Sequence, residues 1–275
     1  MFNHLSWRRF GLLSVGGLIT GCVIIVALLA PWIAPFSPYE INVPDRLQGP
    51  NLVHWFGTDE LGRDTFSRTI YAARISLKVA GVSVGIGLIG GILIGLISAY
   101  FSGALDMIFM RSMDLLYAFP AILLAIVIMA GLGTSMVNAM IAIGIIFIPG
   151  YARLARATAQ VVLRQQFIEA ALTVGMSTPR ILFREILPNI ATPLLVAGAL
   201  GFAYAMLVES ALSFLGLGAQ PPEPTWGSMI NHGRGLMSTA PWLGIVPGAA
   251  IFVSVLGFNL LGDGLRDLFD SHLRD

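Results

Sequence analysis

Few side chains in this sequence could carry chemistry, and their spacing excludes most kinds of it. The four histidines, His4, His54, His232 and His272, are scattered along 275 residues and show no metal-ligand spacing. Cys22 is the only cysteine and sits inside an apolar run, so no intrachain disulfide can form and a thiol-based metal or redox centre is not expected. Fifteen of the 16 basic residues are arginine; the one lysine, Lys78, lies in Ser76-Leu77-Lys78-Val79. A phosphate-binding P-loop needs Gly-Lys-Ser/Thr, so this chain has none, and any ATP-driven step must come from another subunit. Glu209 stands out because it follows a long apolar stretch. An ionisable group close to hydrocarbon faces a wet cavity or a bundle interior and is a candidate pathway or gate residue. Its alternative role is structural, near enough to the outer surface to meet water or a loop donor. Asp106, Arg111 and Asp114 form a second cluster in which Arg111 and Asp114, three apart on a helix, are placed to form a structural ion pair.

The elements that position these groups are membrane spans. Hydrophobic residues make up 56% of the chain, charged ones only 11%, and mean hydropathy is +0.81, against about 25% charged residues in a soluble domain. A net charge of +1 provides no basic patch for nucleic acid. Stretches free of Asp, Glu, Lys and Arg run over 10–39, 79–105, 115–152, 186–208 and 235–262. The third is too long for one crossing and is broken by Gly131-Leu132-Gly133-Thr134-Ser135, which predicts a helical hairpin and six spans in all. Ser6-Trp7-Arg8-Arg9-Phe10 precedes an apolar run longer than a signal segment and without a clean cleavage site, so it reads as an uncleaved first span. With the N-terminus inside, ten arginines fall on the cytoplasmic side, against five arginines and Lys78 outside. Both termini are then expected in the cytoplasm.

Small residues at every fourth position let membrane helices approach closely. Ser83, Gly87, Gly91, Gly95 and Ala99 form such a stripe on the second span, and Ala197, Gly201 and Ala205 form another that leads to Glu209.

Residues 164–189 lie between the fourth and fifth spans. Gln166 to Leu172 predicts a short amphipathic helix ended by Gly175, and a second helix begins at Ser177 or Thr178 with Pro179 in its first turn. Leu187-Pro188 is then expected to bend the chain into the membrane. Such an elbow suits docking in a groove: Ala170 and Ala171 permit close approach, and Phe167, Ile168 and Leu172 supply apolar anchors.

Glu169-Ala170-Ala171, Gly175 and Ile186-Leu187-Pro188 resemble the EAA loop of ABC-importer permeases, the coupling helix gripped by the ATPase. Phe56 to Arg68, with Asp59, Gly62, Arg63, Asp64 and Arg68, resembles the signature of C-type permeases of the dipeptide, oligopeptide and nickel subfamily. So do Asp106 to Pro120, Glu209 to Gly218, Trp226-Gly227 and Phe258 to Asp267. The segment before the first span is shorter than in many peptide-type members, which leaves the substrate open. The resemblance implies an all-α integral membrane protein of the type I ABC importer permease fold, with six transmembrane helices and a cytoplasmic coupling loop between the fourth and fifth. It divides the chain into residues 1–75, a span plus an extracytoplasmic segment, and residues 76–275, the permease core. It implies a location in the bacterial inner membrane. Its partners would be a homologous second permease, two ATPases that bind the ATP and Mg, a solute-binding protein on the outer face, and membrane lipid; this chain itself would bind no cofactor. The cargo would be di- or oligopeptides, with glutathione-like peptides or nickel chelates as alternatives.

From the residues themselves, the outer segment 33–76 is expected to lie along the outer surface or in the partner interface, using Asp59, Arg63, Asp64 and Arg68 for hydrogen bonds; a solvated loop is the alternative. Trp226 in the second outer loop suits the membrane interface. Two rival functions find little support. A secondary transporter calls for inverted repeats or several intramembrane ionisable groups, and an intramembrane enzyme for a nucleophile with its base or for paired metal ligands.

Overall fold

The computed structural model describes residues 3–271, with side chains from residue 11 to residue 269. The described residues are helical apart from connecting segments, with one isolated bridge between Thr58 and Asp64 and no strand. In order they form α1 (Asn3–Leu28), α2 (Ala30–Ile33), a 3-10 turn (Val43–Asp45), α3 (Thr65–Phe101), α4 (Gly103–Tyr117) and α5 (Ala121–Leu132). There follow α6 (Met136–Val162), α7 (Gln166–Thr173), α8 (Thr178–Arg180), a π-helical stretch (Ile181–Ile186), α9 (Leu187–Phe214), α10 (Trp226–Gly233) and α11 (Trp242–Ser271). Five helices are long and apolar enough to cross a membrane, and the bent pair α4 and α5 is apolar enough to be a sixth if the two arms together count as one span.

Three boundaries differ from expectation. The second span begins at Thr65 rather than Val79. Asp64 caps it, its Oδ2 accepting from the Ser67 amide at 2.7 Å, and the charged side chains in the first turns that interrupt the apolar run do not hinder a helix. The division at 75/76 falls inside this helix. The 115–152 hairpin does turn at Gly133–Ser135, where Gly133 has φ +88 and Ser135 caps α6 through the Asn138 amide. Its first arm is not a straight crossing, however. Pro120 has no amide to donate and disfavours helical backbone at Phe119, so α4 stops at Tyr117 and α5, starting at Ala121, meets it at 95°. Finally, Leu187-Pro188 does not bend the chain. The helix runs on from Thr178 to Phe214 because a π turn takes up the missing amide of Pro188: Leu187 N–H reaches back five residues to the Leu182 carbonyl, and Asn189 Nδ2 donates to the Glu185 carbonyl at 2.6 Å.

The centre is α3 packed on α6 and α9. All five residues of the α3 stripe are buried. A β-carbon on Gly87 would lie 2.5 Å from Phe147 Cβ, one on Gly91 2.5 Å from Tyr151 Cβ, and one on Gly95 2.5 Å from the Ala152 carbonyl oxygen. Hydrogen therefore sets the distance between the two helices. Gly201 of α9 takes the Tyr151 hydroxyl in the same way, 2.1 Å from where its β-carbon would be. Outside this core α11 packs on α9 through Gly262 against Leu200, and α1 packs on α11 through Gly16, Gly257 and Gly264. Cys22, on α1, is exposed.

Candidate functional site: an elbow, an outer cap and a buried carboxyl

The elbow is built around one left-handed residue. Gly175 has φ +75, and the chain closes around it with the Met176 amide on the Ala171 carbonyl and the Gly175 amide on the Leu172 carbonyl, both at 3.0 Å. That pair of bonds is a Schellman motif, which ends α7 and reverses the chain. The reversal lays one face of α7 on the start of the next helix. Ile168 is buried there among Ile181, Leu182 and Ile186, and Ala171 on the same helix is buried as well. Ile168 therefore holds the elbow together instead of anchoring a partner. The outer face of α7 is free: Phe167 is 42% exposed, Leu172 50% and Val174 85%, and Glu169 and Ala170 lie open beside them. Pro188 is exposed and Leu187 half-buried at the root of the elbow. Val174 was missed in the sequence because it lies beyond the last turn of α7, where helical periodicity no longer applies.

At the opposite end of the bundle, segment 34–64 folds into a cap in which Asp59, Arg63 and Asp64 turn inward, while Glu40 and Arg46 stay exposed. Asp59 accepts from the amides of Leu61 and Arg63, at 2.9 and 3.0 Å, from Arg63 Nε at 2.7 Å, and lies 3.5 Å from Arg68 Nε. Arg68 also donates to the Pro38 carbonyl at 2.8 Å. Asp64, which caps α3, meets His54 Nδ1 at 2.9 Å. Gly62, with φ +75, has the Asn42 carbonyl oxygen 1.7 Å from its β-carbon position. Asp59, Gly62, Arg63, Asp64 and Arg68 are all buried. Their hydrogen bonds are made within this chain, so the signature is a folded motif here rather than a solvated loop. Trp242 Nε1 donates to the Thr58 carbonyl at 3.1 Å and pins the cap to the end of α11.

The loop before α10 completes the cap. Trp226 is 2% exposed and gives its indole N–H to the Thr69 carbonyl at 3.0 Å, which corrects its placement at the membrane interface. Gly227 lets α10 rest on α9, with the Ser210 carbonyl oxygen 2.1 Å from its β-carbon position. His232 Nδ1 lies 3.2 Å from Glu60, and the Tyr39 hydroxyl donates to Glu223 at 3.2 Å. Partial burial, then the adjoining Glu223 carboxylate, raises the Tyr39 phenol above its ordinary pKa.

Glu209 is 2% exposed. Its two oxygens accept from Ser76 Oγ of α3 at 3.1 Å and from Ser213 Oγ one turn along α9 at 2.7 Å. It thus joins two central helices rather than opening onto a surface. Ser213, four residues on, stands at helical pairing distance in the sequence, whereas Ser76, 133 residues away, could not be paired with it from sequence.

The α4 charges also find their main partners elsewhere. Arg111 and Asp114 are 3.7 Å apart with Arg111 80% exposed, whereas Asp114 meets Arg153 of α6 at 2.7 Å. Arg156, one turn further, holds Asp106 through two bonds of 2.6 Å. The Arg153 guanidinium lies over the Tyr117 ring, 4.5 Å from its centroid. Two arginines thus clamp α4 onto α6 next to the 95° break.

Comparison with known proteins places this arrangement. Residues 91–275 match the family described as the binding-protein-dependent transport system inner membrane component, and residues 4–50 match the N-terminal TM domain of oligopeptide transport permease C. The dipeptide transport system permease protein DppC of Alkalihalophilus pseudofirmus is 46% identical over 273 residues, covering 99% of this chain and 89% of the relative. The glutathione transport system permease protein GsiD of Escherichia coli O1:K1 / APEC is 44% identical over 275 residues, covering 98% and 91%. In fold, the chain is similar to the crystal structure of an amino acid ABC transporter with histidines, at a TM-score of 0.53, 18% identity and coverage of 75% of this chain and 94% of that one. The chain belongs to the inner-membrane permease family of binding-protein-dependent ABC importers, as a multi-pass C-type subunit.

Proposed function

We propose that this chain forms half of a peptide passage across the cytoplasmic membrane, with a homologous second permease as the other half. Two ATPase subunits, carrying the ATP and Mg, dock on the elbow from the cytoplasm, and a solute-binding protein delivers cargo to the outer cap. The observation that carries this reading is the free apolar edge formed by Phe167 and Leu172 of α7 and Val174 just beyond it, held clear of the bundle by the turn at Gly175. Exposed apolar side chains on a short rigid helix, flanked by Glu169, suit a groove on a soluble partner. Both termini then lie in the cytoplasm, on the side of the elbow.

Di- or oligopeptides are the favoured cargo, since the DppC relative is named for dipeptide transport. The name of the GsiD relative supports glutathione-like peptides as a second reading.

Purification of the tagged chain from its native membrane tests the assembly. A second permease and two ATPases should accompany it, and Phe167→Asp should release the ATPases while keeping the second permease. Recovery of the chain alone, or of a Phe167→Asp complex with its ATPases intact, would sink the proposal. Competition of labelled dipeptide uptake by glutathione separates the two cargoes.

A further inference from the structure

The cap meets α3, α10 and α11 around a small cavity of about 20 Å³. A water-sized probe needs about 10–15 Å³, so the space takes one ion or one water and excludes anything larger than a few atoms. Its polar wall consists of Asp59, Glu60, Arg63, Thr65, Arg68 and His232.

Donors outnumber acceptors on this wall. Asp59 is saturated: Oδ1 accepts from the Leu61 and Arg63 amides, and Oδ2 accepts from Arg63 Nε and faces Arg68 Nε. Arg68 gives one Nη to the Pro38 carbonyl. Among the described residues, both Nη nitrogens of Arg63 and Nη2 of Arg68 make no hydrogen bond, although neither side chain is more than a tenth exposed. Thr65 is 1% exposed, and its hydroxyl is buried without a partner. A buried donor without an acceptor is unfavourable, the more so when it is charged. Charge is unbalanced in the same sense. Two buried guanidinium groups share the single Asp59 carboxylate, while Glu60, a third exposed, pairs with His232 at 3.2 Å.

We infer that this cavity binds one small monovalent anion of the halide class, held by the Thr65 hydroxyl and the spare N–H groups of Arg63 and Arg68. Water matches the space and some of the donors but leaves the second guanidinium without a counter-charge. Bound there, the anion joins Arg63 of the cap to Thr65 and Arg68 in the first turn of α3, and so stabilises the folded cap. The site does not depend on the cargo and stands apart from the peptide-import reading.

Thermal unfolding of the full chain in detergent tests this, with sodium chloride titrated against sodium gluconate at constant ionic strength; gluconate is too large for the cavity. An ion bound by the folded chain alone raises the unfolding temperature with its concentration, here by about 3 °C or more on full replacement. Thr65→Val keeps the shape and removes a donor, and should weaken the chloride response at least about fivefold, whereas Thr65→Ser should stay within about twofold of wild type. In crystals grown with bromide, the anomalous signal should place an ion between Thr65 and the two guanidinium groups. Equal unfolding in chloride and gluconate, or an unchanged chloride response in Thr65→Val, overturns the inference. So does a bromide map without a peak at that position, which would leave water as the occupant. Should Thr65→Val fail to fold, the wild-type titration and the bromide map still decide.

Discussion

Gly175 and Glu209 show how single residues on the two sides of the bundle answer to different neighbours. Gly175 needs positive φ, but no atom of its own chain lies within 4 Å of a β-carbon there, so bulk costs nothing inside the subunit. Strain and docking can therefore be separated. Asparagine tolerates the left-handed conformation, so Gly175→Asn should lower stability by less than about 1 kcal/mol, while Gly175→Leu should cost about 1–2 kcal/mol. If an ATPase abuts this turn, both variants insert into the membrane and both lose transport and coupled ATP hydrolysis. Normal import by the asparagine variant would limit Gly175 to ending the helix. At Glu209, Ser76 and Ser213 both lose their acceptor when the carboxyl is removed. Glu209→Leu should destabilise the solubilised protein by about 2–4 kcal/mol, since buried hydroxyls left unpaired cost about 1–3 kcal/mol each. Glu209→Gln keeps an oxygen for one serine and an amide for the other, and should stay within about 1 kcal/mol of wild type in thermal unfolding. Matching import by the glutamine variant would show that the negative charge is dispensable.

Elements were legible in the sequence where local pattern determines them and illegible where a distant chain does. The small-residue stripe, the turn after α5 and the end of α7 at Gly175 depend on residue type and spacing, and all three are where the pattern put them. The early start of α3 is not legible in the apolar runs, because a capped helix accepts Arg68, Arg74 and Lys78 that interrupt them. The inward turn of Asp59 and Arg68 was hidden because burial depends on Pro38 and on α10, and the buried face of the elbow because Ile168 looks alike as a core residue and as an anchor. Packing supplies the test at this scale. Two glycines of α3 differ in their place on the helix: a β-carbon on Gly91, within the small-residue stripe, would meet Tyr151 and Ala152 below 3 Å, and one on Gly85, off the stripe, meets nothing. Gly91→Leu must part α3 from α6 and should cost at least about 3 kcal/mol, while Gly85→Leu should change stability by less than about 1 kcal/mol. Equal unfolding temperatures for the two variants would contradict the packing described.

Across the whole molecule, charge and shape bear on the same question, which end of the bundle faces the cytoplasm. The ten arginines expected from sequence on the cytoplasmic side, against six basic residues outside, are a modest bias. Two of the six, Arg63 and Arg68, are buried and share Asp59, so they belong to a folded cap rather than to a free translocated loop. The exposed basic surface left on that side is correspondingly smaller. Shape adds a constraint: the elbow presents a free apolar edge suited to a soluble partner, whereas the cap closes over the ends of α3, α9 and α11. Two positions can report the orientation directly, Leu52 in the cap at 98% exposure and Val174 in the elbow at 85%. In a Cys22→Ser background, a cysteine at Leu52 should react with a membrane-impermeant maleimide in intact cells stripped of any outer membrane. A cysteine at Val174 should react only after the membrane is opened. Both substitutions replace exposed side chains without hydrogen-bond roles, so each variant should still fold. The reverse labelling pattern would place the elbow outside, away from ATP, and would remove the basis for reading it as the point where hydrolysis drives the passage.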